Sequence, residues 1–301
     1  MIINRQNLDG LRVGFKTAFQ NQLDITPSLY KRVATVVPST AKSETYGWLG
    51  KIPSVREWLG ARVVQALSEA SYSIKNKSYE LTVGVDREDI EDDVLGIYTP
   101  IFQSFGESVA AWPDQLIWPL LAAGFSTNCY DGQFFFDTDH PVLDANGVPQ
   151  SVANTDGGPG TPWFLLDVSK VLKPLIWQLR KSGQFVALDN PTDENVFNKK
   201  EFLYGWDGRG NAGYGFWQYA WGSKQALDAT RYAAARQGLM GMKGDFGRPL
   251  NVLANGSKPL LVVPSTLEGA ALSLINAQKN ANGADNIYYN TAEVLVCTWL
   301  G

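Results

Sequence analysis

Only one histidine, His140, occurs in the 301 residues of this chain. A site that needs two imidazoles, such as a two-histidine zinc centre, is therefore excluded. Cysteine is almost as scarce: Cys129 and Cys297 lie far apart, follow no metal-ligand spacing, and read as free thiols of a reducing compartment. An excess of positive charge is also missing, since 26 Lys and Arg face 30 Asp and Glu, and the net charge of −4 gives no footprint for a nucleic-acid binder. No window approaches about 18 consecutive apolar residues, so no membrane span is expected. The opening residues, Met1-Ile2-Ile3-Asn4-Arg5-Gln6-Asn7, lack a basic region followed by an apolar core, and no signal peptide is expected. No Gly-x-Ser-x-Gly elbow, Cys/His pair, phosphate loop or kinase-like set is present, and no internal repeat or low-complexity tract.

What is present is the composition of an ordered globular protein. Hydrophobic residues make up 45% and charged residues 19%, enough for one large core or two modest ones. Ten Trp and 29 Gly point to many turns and large contact surfaces, and aromatic enrichment is a mild sign of assembly.

The stretch from Tyr79 to Phe125 organises the rest. Tyr79, Leu81, Val83 and Val85 alternate at period two, as a half-buried strand requires. Asp86 offers a carboxylate N-cap, and Glu88 and Asp89 put negative charge in the first turn of a helix. Ile90, Val94, Ile97, Ile101, Phe105 and Val109 then recur on one helical face, widened by Leu95, Tyr98 and Phe102. A helix from Arg87 to Ala111 would be about 37 Å long. Pro113 is expected to kink it or to start a second helix carrying Leu116, Ile117, Leu120 and Leu121 and ending at Gly124.

Before this spine, residues 8 to 23 read as an amphipathic helix with Leu8, Leu11, Phe15, Phe19 and Leu23 on one side and Asp9 available as a cap. A short extended run, Arg32 to Val37, follows. This pair is either an arm lying on a neighbouring surface or a helix packed on its own domain. Residues 43 to 78 are punctuated by Gly and Pro and suggest a long hairpin or protruding loop. Trp48 and Trp58 on it would be costly to leave in water and should meet the parent domain or another subunit.

After the spine, Asp131-Gly132 reads as a turn, Phe134 to Phe136 as a buried strand and His140-Pro141 as a stop. Residues 143 to 162, rich in Gly, Pro, Asn and Asp, read as a long flexible loop. Strands are expected at Trp163 to Leu166, Leu175 to Arg180, Phe202 to Trp206 and Tyr214 to Ala220, the last two forming a hairpin around Asp207-Gly208-Arg209-Gly210-Asn211-Ala212-Gly213. A helix over 224 to 242 and a fully buried strand at Leu260 to Val263 come next. Then Ser265 and Glu268 form a capping box, and Ala292 to Trp299 is a last strand.

Asp137, Asp139 and His140 are the one cluster with the donor types of a metal or acid–base site. The same segment also suits a hydrogen-bonded turn in which Asx caps and backbone satisfy the polar groups. From the residues alone the chain is an α+β protein poor in catalytic groups, with exposed arms and aromatic-bearing loops, a combination that favours assembly over catalysis.

Four stretches in order carry a resemblance. They are Tyr46-Gly47-Trp48-Leu49-Gly50 with Arg56-Glu57-Trp58; Glu80 to Gly96; Asp131-Gly132 with Phe135 to Pro141; and Leu261 to Pro264 with Leu267 to Ala271. Tyr204-Gly205 and Gly213 to Gln218 reinforce them. The set resembles the Mu-like phage major head subunit family over nearly the whole chain. The resemblance implies the tailed-phage major capsid fold of the Hong Kong 97 type. It divides the chain into an N-terminal arm (1–42), an extended loop (43–80), a peripheral domain with its spine helix (81–130), loop and strands of unassigned domain (131–194), a peripheral-domain hairpin (195–223) and an axial domain (224–301).

The function so implied is self-assembly into an icosahedral shell around phage double-stranded DNA, without enzymatic activity and without a cofactor. Phe15, Phe19, Trp48, Leu49, Arg56 and Trp58 are the expected inter-subunit contacts of arm and loop. The implied partners are other copies in hexamers and pentamers, a separate scaffold protein, a portal and, as an open addition, decoration proteins. A scaffold is expected because no long N-terminal scaffolding extension is seen, though a terminus made by proteolysis accounts for that equally well. DNA is met by non-specific proximity only, and no membrane is involved. The protein is expected in the virion, after synthesis in the bacterial host cytoplasm. A cargo-enclosing cellular shell of the same fold and a metal-dependent enzyme using Asp137, Asp139 and His140 are the alternatives.

Overall fold

The computed structural model describes residues 3–50, 72–92 and 97–301. The elements run α1 (Arg5–Ile25), α2 (Tyr30–Val33), β1 (Ala34–Pro38), β2 (Ser43–Thr45), β3 (Ser73–Lys75), β4 (Lys77–Asp86), α3 (Arg87–Glu91) and α4 (Tyr98–Ala122). There follow β5 (His140–Leu143), β6 (Pro149–Val152), β7 (Trp163–Leu166), β8 (Leu175–Leu188), α5 (Glu194–Lys199), β9 (Glu201–Tyr214) and β10 (Ala220–Ser223). The chain closes with α6 (Ala229–Met240), β11 (Lys243–Gly244), β12 (Arg248–Pro249), β13 (Leu260–Val263), α7 (Glu268–Ile275) and β14 (Glu293–Val296). The α+β class expected from the sequence is the observed one.

Two four-stranded sheets carry the architecture, in the orders β1-β8-β9-β4 and β10-β7-β13-β14. In the first, β8 and β9 are each 14 residues long and antiparallel, β4 pairs antiparallel with β9, and β1 lies parallel to β8. In the second, every residue of β7, β10 and β13 is buried, so these strands are apolar on both faces. The chain crosses between the sheets three times, from β4 to β7, back from β7 to β8, and again from β9 to β10. Arg32 and Glu293 form a 2.6 Å ion pair that ties α2 to β14.

The spine forms differently from expectation. Asp86 does cap α3, accepting a hydrogen bond from the Glu88 amide, but α3 ends at Glu91 and α4 is a separate helix beginning at Tyr98. That helix then runs 25 residues through both Pro113 and Pro119. A proline removes one helical hydrogen bond, and burial compensates here: Trp112, Ile117, Trp118 and Leu121 are all in the core. The Asp114 carboxylate, buried beside Pro113, accepts from the Ser28 hydroxyl, the Leu29 amide and Trp118 Nε1, which fastens this part of α4 to the segment after α1.

The largest correction is at 195–223, where no hairpin forms. Residues 201 to 214 are one strand, and β10 belongs to the other sheet. The glycines of Asp207 to Gly213 are not turn residues. A Cβ on Gly208 would lie 2.4 Å from the Trp206 ring and 3.2 Å from that of Trp112, so the residue is small because indoles cover the strand. Three further expectations give way. Residues 134 to 136 make bends and one isolated bridge at Phe134 rather than a strand, and His140 opens β5 instead of stopping one. The supposed loop from 143 to 162 contains β6, paired with β5. Ser265 starts a short 3-10 turn, and no side chain caps α7.

Candidate assembly surfaces and a buried polar centre

The N-terminal helix packs on its own chain. Asn4 caps α1 by accepting from the Asn7 amide, while Asp9, the expected cap, pairs with Arg12 at 2.5 Å. Phe15 stacks on Phe102 of α4 at 4.2 Å and meets Tyr204 edge-on at 5.3 Å. Phe19 lies 5.1 Å from Phe105 and 5.5 Å from Phe185. With exposures of 4% and 2%, Phe15 and Phe19 are used inside the chain. The opposite side of the same helix leaves Val13 and Ile25 in solvent, at 62% and 71%.

The described ends of the 43–78 segment share a polar root. β2 and β3 pair antiparallel, with Ser43 opposite Lys75, and so hold both ends of the segment together. The Glu44 carboxylate accepts from the Thr40 and Ala41 amides and the Ser39 hydroxyl, and these bonds hold its carboxyl below the usual range. Beneath it, the wholly buried Gln178 of β8 accepts from the Tyr46 hydroxyl at 2.7 Å and donates to Ile74 O and Asn76 Oδ1. Tyr46 meets Trp48 at 5.8 Å, and Trp48 in turn meets Phe216 at 5.9 Å. Trp48 is thus half-buried and Leu49 fully buried against the parent domain. Arg56 and Trp58 lie outside the described residues. Gln178 and Asn76 were missed by sequence reasoning; the only trace was a glutamine interrupting the apolar run Leu175-Ile176-Trp177.

The first sheet presents one open face. Tyr204 and Trp206 point toward the helices, where they meet Phe15 and Trp112, so the alternate residues of β9 point away. Register then aligns Leu188, Leu203 and Gly84 in one row and Val186, Gly205 and Thr82 in the next. Val186 and Leu188 are 53% and 50% exposed. Ile97 and Ile101 are also in solvent at the start of α4, a helix with no Lys or Arg in its 25 residues.

His140 does not join Asp137 and Asp139. Asp137 caps its own turn, accepting from the Phe134 and Thr138 amides, and Asp139 is exposed, its carboxyl pushed up by a hydrogen bond with Asp137. β5 starts at His140 and sends the ring inward, where it stacks on Trp217 at 3.9 Å. Nδ1 lies 2.7 Å from Asp131 Oδ2 and Nε2 lies 3.3 Å from Asn154 Oδ1. Cys129 donates its thiol to Asp131 Oδ1 at 3.0 Å. Burial and the Asp131 charge push the Cys129 thiol far up, which holds it as a neutral thiol as long as no cation sits beside it.

Residues 8–300 match the family model described as Mu-like prophage major head subunit gpT. The chain is 43% identical over 290 residues to the major capsid protein of Escherichia phage Mu, covering 94% of this chain and 93% of that one. It is similar to a chain of the bacteriophage JBD30 procapsid with a TM-score of 0.87 and 44% identity, over 99% of this chain and 100% of the other. A second solved structure, the JBD30 capsid decorated with minor capsid protein trimers, matches at a TM-score of 0.74 and 36% identity, over 93% of each chain.

Proposed function

This chain belongs to the Mu-like prophage major head subunit family, and from that membership we propose how its surfaces are used. It is a major capsid protein of a phage head with the tailed-phage capsid fold, a component of the virion shell. Its work is structural rather than catalytic. The observation that carries this reading is the match along essentially the full length to a procapsid subunit.

The division of labour proposed here follows the topology. The first sheet with α4 forms the peripheral domain, from β4 through α4 and again over β8 and β9. The second sheet with α6 and α7 forms the axial domain, which therefore takes in β7 and β10 as well as 224–301. Residues 1–42 act as the arm and 43–80 as the extended loop. Phe15 and Phe19 support the arm from beneath, and its outward side, with Val13 and Ile25, meets the neighbouring subunit. Trp48 and Leu49 brace the loop at its root, and Arg56 and Trp58 supply contacts to the next copy. Many modest interfaces of this kind sum in a closed symmetric shell.

Assembly in hexamers and pentamers draws on a separate scaffold protein and a portal. Minor capsid trimers of the sort that decorate the JBD30 capsid are a further partner class. DNA is enclosed without specific contacts, in keeping with a net charge of −4. Synthesis takes place in the host cytoplasm, where Cys129 and Cys297 stay reduced and buried.

The test is electron microscopy and light scattering of the expressed chain, alone and with residues 43–78 removed. The full chain should form capsomers or closed particles and the deletion should form neither. A strictly monomeric full chain under all conditions would overturn the reading.

A further inference from the structure

The centre around His140 brings an imidazole, a carboxylate and a thiol together, with the imidazole fully buried. Asn154 is fully buried and its amide orientation is determined by three contacts: Nδ2 donates to Phe135 O at 2.8 Å and to Trp217 O at 3.4 Å, and Oδ1 accepts from the Asp137 amide at 2.9 Å. The atom facing His140 is therefore a carbonyl oxygen, which only accepts. An Nε2–H donor suits this 3.3 Å contact. In a neutral ring that leaves Nδ1 as a bare lone pair, 2.7 Å from a carboxylate oxygen of Asp131. Two lone pairs at that distance need a cation between them: either a proton or a metal ion.

We propose that this cation is a soft divalent metal of the zinc class, held by Cys129 Sγ, an Asp131 carboxylate oxygen and His140 Nδ1. The three ligand atoms lie within 4.8 Å of one another, and they are the one group of three such side chains found among the described residues. A tetrahedral zinc site sets its ligand atoms about 3.3–3.7 Å apart. The Asp131 carboxylate spans the other two ligands, with Oδ1 3.0 Å from Sγ and Oδ2 2.7 Å from Nδ1. Thiolate with imidazole selects zinc-like ions over magnesium or calcium. The surroundings also have the form of a metal site. The histidine gives its second N–H to Asn154, itself held in place, and its ring plane is set by Trp217 at 9°.

The charge balance favours the exchange in a buried setting. With a proton, the centre holds a neutral thiol, an imidazolium and a carboxylate, for a net charge of zero. With the metal, the thiol proton and the Nδ1 proton leave to solvent, and the ion's two positive charges meet a thiolate and a carboxylate around a neutral imidazole. The net charge is again zero, so no uncompensated charge is buried. The fourth position goes to water on the Asp131 side, where the side chain is 11% exposed, whereas that of His140 is fully buried. The metal would clip the turn at Cys129–Asp131 to the start of β5. The proposed site is independent of the shell reading.

The experiment is metal analysis of the full chain purified without chelator from zinc-supplemented cells, followed by cobalt titration of chelator-stripped protein. The expected result is about one zinc per chain, and with cobalt a thiolate charge-transfer band in the near ultraviolet. Cys129→Ser should abolish the band, and Asp131→Asn should weaken binding by at least about tenfold. Less than about 0.1 metal per chain, or equal uptake by both variants, would overturn the proposal in favour of the proton. If the variants do not fold, the wild-type chain still decides: no charge-transfer band at saturating cobalt rejects the site.

Discussion

Phe15 and Gln178 hold the two extensions of this chain against the same sheet by unlike means. Phe15 secures α1 through ring packing on Phe102 and Tyr204, in a dry cluster that also takes in Phe19, Phe105 and Phe185. Gln178 secures the root of the loop through three hydrogen bonds, to Tyr46, Ile74 and Asn76. Beyond it the root relies on short strands of three residues and on the carboxylate of Glu44. The arm's anchor is area removed from water, insensitive to protons and spread over many contacts. The loop's anchor is a set of directional bonds that fail singly and locally. In this arrangement α1 is part of the core, whereas the β2–β3 pair rests on directional bonds that can loosen without unfolding the sheet beneath.

Breaking the larger anchor should have the larger effect. Phe15→Ala removes a ring 4% exposed and should cost about 3–5 kcal/mol of stability, read as a shift in the urea midpoint. Val13→Ser, on the exposed side of the same helix, should stay within about 0.5 kcal/mol. A loss under about 1 kcal/mol for Phe15→Ala would mean that α1 is not anchored by its aromatic face. The second effect is smaller and more confined. Gln178→Leu leaves the Tyr46 hydroxyl, the Ile74 carbonyl and Asn76 Oδ1 short of a partner, at about 1–3 kcal/mol. Hydrogen exchange should quicken at 43–49 and 72–76 and stay unchanged in α4; quickening throughout the sheet would show that the two anchors are one cooperative unit.

These two anchors were not equally legible in the sequence. The aromatic one was legible as a face, because Leu8, Phe15 and Phe19 repeat at helical spacing, but its partner was not: Phe15 and Phe19 were expected to meet another subunit and instead pack on α4, β8 and β9. The strand β4 was legible for the same kind of reason, at period two. The polar one was not, because Gln178 finds Ile74 and Asn76 more than 100 positions away and no local pattern records it. The same holds for β9. Its glycines read as a turn because turns are the commonest local use of such a run, and the indoles of Trp112 and Trp177 that demand small residues come from other elements. His140 was given the wrong partners for a geometric reason. Asp137 and Asp139 lie in the turn before β5, whereas His140 is the first residue of the strand and its buried ring meets Asp131. Pro113 was expected to kink the helix or to start a second one, and α4 continues as one helix across it, with Trp112 beside it packed on Trp177 and Trp206.

The smallest effect, and the one that separates the anchors most cleanly, is their response to pH. Glu44 accepts from the Thr40 and Ala41 amides and from Ser39, and these bonds favour its charged form, placing its folded value below the ordinary 4.5 of a glutamate. A carboxyl depressed in this way contributes its stabilisation in full above the unfolded value, and loses it as pH falls through the folded one. The loop root should therefore be unchanged from pH 7 to about 5.5 and loosen progressively below about 4.5. The measurement is exchange of the Thr40 and Ala41 amides, which should lose protection in acid while those of α1 keep theirs. Glu44→Gln should remove the pH dependence, because an amide oxygen still accepts but does not titrate. Equal acid loosening of α1 and the loop root, or an unaltered profile in Glu44→Gln, would mean that the proton acts elsewhere and that this carboxylate does not distinguish the two anchors.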